Sequence, residues 1–77
     1  MDESHIVNEF HRIVDKHLQQ TQSVLTRNLI KKIMQDEIII GNNVTKAISR
    51  IRTTVKLFVD EKKAEDIALE MKRVVGL

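Results

Sequence analysis

The sequence predicts an all-α fold, a compact bundle of four or at most five short amphipathic helices, and three observations carry that reading. Apolar residues recur with a 3.6-residue period through most of the 77 residues. Proline is absent and glycine occurs only at Gly41 and Gly76, so nothing interrupts the helices internally and nothing reads as a flexible linker. Polar breaks at QQTQS (19–23) and GNN (41–43), and Asp60, divide the chain at helix-length intervals. With no internal repeat and no composition shift, residues 1–77 read as a single helical domain.

The first helix is expected from about Glu3 to Gln20. At 100° per residue, Ile6, Val7, Phe10, Ile13, Val14 and Leu18 share one side, while Glu9, Arg12, Asp15 and Lys16 face away. Thr21 or Ser23 is placed to cap the second helix, about 23–35. Its apolar residues Val24, Leu25, Leu29, Ile30, Ile33 and Met34 cover a broad arc, which predicts packing against more than one neighbour.

Residues QDEIIIGNN (35–43) read as a connection rather than a strand, because EIII has no partner strand in the chain. Gly41 is expected to supply a positive φ, and Asn42 or Asn43 to cap the next helix. Three consecutive isoleucines cannot all point inward, so Ile39 or Ile40 is expected to remain exposed.

The third helix, residues 43–57, places Val44, Ala47, Ile48, Ile51, Val55 and Phe58 on one stripe, with Lys46, Arg50, Arg52 and Lys56 around the rest. The β-branched run in TTVKLFV (53–59) is compatible with a strand, but the unbroken 3.6 period favours helix. Asp60 is positioned as the N-cap of the fourth helix, whose stripe is Ala64, Ile67, Ala68, Met71, Val74 and Val75. Acidic residues in its first turns and Lys72 and Arg73 in its last suit the helix dipole.

Composition narrows the function classes. Cysteine is absent, which removes disulfides, thiolate metal sites and a thiol nucleophile, and suits a cytoplasmic protein. Phe10 and Phe58 are the only aromatics, too few for a platform that stacks bases. No run approaches a membrane span, and the acidic start MDESHIVNEF lacks the apolar core of a signal peptide, so no membrane partner and no processing are expected.

Catalytic and cofactor chemistry find no purchase. His5, His11 and His17 are spaced by six, which puts no pair at i and i+4, so a histidine zinc site is not expected. His17 projects into the apolar face of the first helix and reads as a half-buried histidine with one hydrogen-bond partner. No G-x-S-x-G, phosphate-cradling glycine loop or nucleophile with a base at recognisable spacing is present. The expectation is a non-enzyme with no cofactor and no small-molecule substrate.

The net charge of +2 hides an uneven distribution. Residues 27–56 carry Arg27, Lys31, Lys32, Lys46, Arg50, Arg52 and Lys56 against Asp36 and Glu37, while both ends are net acidic. A basic middle between acidic ends fits a module that binds itself or another protein domain through opposed charged faces. The residues expected to carry binding are Arg27, Lys31, Lys46, Arg50, Arg52 and Lys56, with Ile38, Ile39, Ile40 and Leu77 as an apolar interface. The alternative is a small helix-turn-helix-like DNA-binding regulator, with LTRNLIKKI (25–33) before a recognition helix at 43–57. Eight residues, QDEIIIGN, stand where that motif has a turn of three or four.

The stretch RIVDKHLQQTQSVLTRNLIKKIMQDEIIIGNNVTKAI (12–48) resembles the opening helices of death-fold adaptors, in particular caspase recruitment domains. Leu29-Ile30, Ile33 and Ile38-Ile39 occupy the aliphatic positions of that pattern, and Leu57-Phe58 followed by KKAEDIALEM echoes its later part. The resemblance implies a non-catalytic module that binds like domains through opposed basic and acidic patches.

Overall fold

The computed structural model describes residues 3–18 and 24–77. Four α-helices, α1 (Glu3–Leu18), α2 (Val24–Met34), α3 (Val44–Phe58) and α4 (Glu61–Val75), are joined by a π-helical segment (Gln35–Ile40) that continues α2 without a break. No strand occurs among the described residues, and TTVKLFV is helical up to Phe58. The expected caps at Thr21 or Ser23, and the end of the first helix at Gln20, lie outside the described residues.

The core is the sum of the inward stripes. Ile6, Phe10, Ile13, Val14 and Leu18 of α1, Ala47, Ile48, Ile51 and Val55 of α3 and Ala64, Ile67, Ala68 and Met71 of α4 share one buried cluster with Ile30, Ile33, Met34 and Ile38. Helix α3 packs against both α4 and α2, and α1 packs chiefly against α4. A Cα radius of gyration of 11.1 Å is that of one compact unit of this length. Burial of these aliphatic stripes drives the arrangement, since each fully buried Leu, Ile, Val or Phe contributes about 1.5–3 kcal/mol.

The helix ends follow local chemistry. Asn43 Oδ1 accepts from the Lys46 backbone N–H at 3.0 Å, and Asp60 Oδ1 accepts from that of Lys63 at 2.7 Å, each satisfying one of the orphan donors of a first turn. At the far end of α4, Gly76 takes φ 76°. There Gly76 N–H donates to Arg73 O and Leu77 N–H to Lys72 O, the paired bonds of a Schellman motif.

Three sequence expectations are corrected. Residues 35–40 form a π-helical turn rather than a loop: Gly41 N–H donates to Asp36 O at 2.9 Å, five residues back, and Asn43 N–H to Glu37 O at 2.6 Å. Gly41 sits at φ −84°, and the positive φ (50°) falls on Asn42. Phe58 leaves the core because α3 ends there, and Val59, in the corner between α3 and α4, packs against the core in its place.

Helix α2 buries a narrower arc than expected, formed by Thr26, Ile30, Ile33 and Met34, and leaves Val24, Leu25 and Leu29 exposed. The isoleucine run resolves as geometry requires: Ile38 is fully buried, Ile39 is partly exposed and Ile40 is mostly exposed.

Candidate interaction surface

Cross-helix ion pairs reveal which flank of each helix faces which neighbour. On α2, Arg27 pairs with Asp15 of α1. Leu25 and Leu29 are each two residues from Arg27, about 200° round the helix, and so occupy the opposite flank. On α3, Arg52 Nε donates to Glu65 at 2.5 Å and Lys56 approaches Glu61 at 3.8 Å, turning that flank to α4. The other flank belongs to the π segment: Arg50 donates to Glu37 at 2.6 Å, and Lys46 approaches the same carboxylate at 3.8 Å.

Leu57, seven residues and two turns after Arg50, lies on the Arg50 stripe, and Phe58 is four residues after Thr54 on the same side. Helix α2 packs against α3, and α3 also contacts the π segment. Leu25 and Leu29 of α2 and Leu57 and Phe58 of α3 are exposed, by 69, 36, 74 and 58 %. Where α3 meets the π segment, Lys46 and Arg50 share Glu37, whose side chain is only 12 % exposed.

The expected binding cations are distributed differently from a single basic face. Arg27, Lys46, Arg50, Arg52 and Lys56 are each paired with a carboxylate, and only Lys31 of that set has no ion-pair partner among the described residues. Lys31 instead stands near His11, where its charge adds to burial in lowering the imidazole pKa against the pull of Asp15. Of the expected apolar interface, Ile38 belongs to the core, while Ile40 and Leu77 are exposed and Ile39 partly so. Leu77 borders two shallow clefts at the other end of α4, one with Ile6, Val44 and Val75, the other with Ser49, Arg52 and Lys72.

His17 is half-buried and its Nε2 meets Glu70 Oε2 of α4, as its place on the apolar face anticipates. Lys16 Nζ donates to the other oxygen of Glu70 at 2.7 Å. These two hydrogen bonds, Lys16's the larger influence, hold the Glu70 carboxyl below the ordinary carboxylate range against a smaller opposing effect of burial. The cluster ties the C-terminal turn of α1 to α4. No group of three or more His, Asp or Glu side chains arranged to hold a metal ion occurs among the described residues, and no described helix is long and apolar enough to cross a membrane.

Periodicity places Leu25 and Leu29 in the core arc of α2 and Phe58 in that of α3, which hides their exposure from the sequence. The available signal was Leu57, which projects away from the α3 stripe, together with an apolar arc on α2 too wide for one neighbour. No protein-family model matches the chain, and neither a curated protein nor a solved structure matches it.

Proposed function

We propose that the chain is a non-catalytic protein-interaction module whose binding surface is the α2–α3 seam, with itself or another protein domain as the partner. The observation that carries this reading is the exposure of Leu25, Leu29, Leu57 and Phe58, four large apolar side chains left in water on two helices that pack together. Exposed apolar surface beyond scattered single residues marks a site of association. The pairing of the cations shifts the reading from opposed charged faces to apolar contact bordered by self-compensated ion pairs. The likeness to caspase recruitment domains points to the same class of activity, an adaptor or regulator without catalysis. A cytoplasmic setting belongs to this proposal and rests on the cysteine-free sequence.

The DNA-binding alternative draws less support. A recognition helix presents several cations on one free face, whereas the cations of α3 divide between the π segment and α4 and are engaged on both flanks. Counterion release needs cations available to phosphates. The test uses the full chain and Leu57→Ser/Phe58→Ser as matched baits in the native host. A partner held by the wild type and lost by the folded double variant supports the module. Equal recovery by both baits, or a salt-dependent shift of duplex DNA that Lys46→Ala and Arg50→Ala weaken, counts against it.

A further inference from the structure

We infer that Gln35–Ile40 is a register lock: Glu37, held by Lys46 and Arg50 of α3, makes the end of α2 take a π turn, and an apolar side chain at position 37 would return it to an α-helix.

The cause lies in the phase of α2. Its buried residues are Thr26, Ile30, Ile33 and Met34. On an α-helix the next position on that face is 37, which stands eleven, seven, four and three residues after them. At 100° per residue, position 37 falls within about 10° of the centre of this stripe, while Ile38 falls roughly 95° to one side. A regular continuation would therefore drive a carboxylate into the core and turn Ile38 out of it. The fold defines this stripe, since periodicity alone spreads the apolar arc of α2 over Val24, Leu25 and Leu29 as well.

A π turn takes up one residue more than an α turn, because its bonds reach five residues back rather than four. The bond from Gly41 N–H to Asp36 O has that span. The added residue moves the core position from 37 to 38. Ile38 is accordingly fully buried, and Glu37 is carried to the flank where α3 lies.

There the carboxylate finds its partners. Arg50 donates to Glu37 Oε2 at 2.6 Å, and Lys46 Nζ lies 3.8 Å from the same oxygen. Glu37 O accepts from the N–H of Asn43, the residue that caps α3. Side chain and backbone of one residue thus tie the π turn to the first turns of α3. An ionised carboxylate so little exposed is strongly unfavourable without such partners. The turn also carries a penalty that something must offset, because the chain leaves it through Asn42 at φ 50°, a left-handed conformation for a non-glycine residue. Lys46 and Arg50 are thereby committed to holding the turn rather than to a partner's carboxylates or phosphates.

The test is NMR on the full chain, with hydrogen bonds read from the scalar couplings across them. In the wild type, Gly41 N–H couples to the Asp36 carbonyl. In Glu37→Leu that coupling is expected to be lost and replaced by one to the carbonyl of position 37. Glu37→Gln, whose side chain is equally unsuited to the core, should keep the Asp36 coupling. Lys46→Ala/Arg50→Ala should speed amide exchange at Gly41 and Asn43 by about tenfold or more relative to Met71 in α4, a local opening that is readable even should Glu37→Leu misfold. A folded Glu37→Leu variant that keeps the Asp36 coupling overturns the lock, as does loss of that coupling in Glu37→Gln. Exchange at Gly41 and Asn43 that merely follows Met71 in the double variant overturns the role of the two cations.

Discussion

Replacing Gly41 by alanine separates the π-helical turn from an ordinary helix end. At φ −84° and ψ −15° the residue needs no left-handed conformation, so backbone freedom is not what requires glycine. Space is. A Cβ at this position would lie 3.0 Å from Asp36 O, 3.1 Å from Glu37 O and 3.4 Å from Glu37 Cα, all backbone atoms that cannot rotate away. The same carbonyls accept the N–H groups of Gly41 and Asn43, so any retreat disturbs the bonds that close the segment. Overpacking of this kind costs about 1–3 kcal/mol. Alanine restricts the unfolded chain and returns about 0.4–1 kcal/mol. The net expectation is a destabilisation of about 1–2 kcal/mol, which shifts the urea midpoint down by about 1 M for a chain of this size. Asn42 supplies the contrast: at φ 50° the Asn42→Ala variant should lose about 1 kcal/mol through backbone strain, and Asn42→Gly should be close to neutral. Equilibrium urea unfolding by circular dichroism measures all three. A Gly41→Ala variant as stable as the wild type, or more stable, would refute the close approach and with it the geometry of the turn.

Three further outcomes follow from the packing and the titrating groups. Ile38→Ala should cost about 2–5 kcal/mol, whereas Ile40→Ala should change stability by less than about 0.5 kcal/mol, since one is fully buried and the other mostly exposed; equal effects would misplace the isoleucine run. Asp60→Ala should lower stability by about 1 kcal/mol through loss of the α4 cap, and Asp60→Ser should recover most of it. Stability should also fall on acidification. Burial, reinforced by the Lys31 charge, lowers the His11 pKa, so the fold favours the neutral imidazole and its contribution is lost as the pH drops below about 6.5. The Glu70 carboxyl is likewise lowered, by Lys16 first and then His17, and its contribution is present above the ordinary carboxylate range and lost below it. Glu70→Gln should flatten the lower part of the profile and leave the part near pH 6; a urea midpoint constant from pH 7.5 down to about pH 2.5 contradicts both assignments.

How much of this was legible in the sequence depended on whether the cause was local. The faces of α1 and α4 follow from a single stripe on each helix, and the caps at Asn43 and Asp60 from side-chain chemistry within three residues. The π turn has no such signature: its bonds use the same backbone groups as an α-helix, and the close approach of Gly41 to Asp36 O exists only once the turn is built. Leu25, Leu29 and Phe58 carry apolar side chains that core and surface would accept equally. The exposure of Leu25 and Leu29 is decided by where α1 and α3 lie against α2, and that of Phe58 by where α3 ends, neither of which periodicity along one helix encodes. The charge pattern misled for the same reason. The basic middle is real in sequence, yet Asp15, Glu61 and Glu65 come from the acidic ends to meet it in the fold.

The most direct test of the account is sedimentation equilibrium of the wild type beside Leu57→Ser/Phe58→Ser, at concentrations up to 1 mM and in both low and high salt. The account predicts a salt-insensitive monomer–dimer equilibrium for the wild type and a folded monomer for the double variant. Identical behaviour of the two proteins, whether both monomeric or both dimeric, would contradict self-association through Leu57 and Phe58.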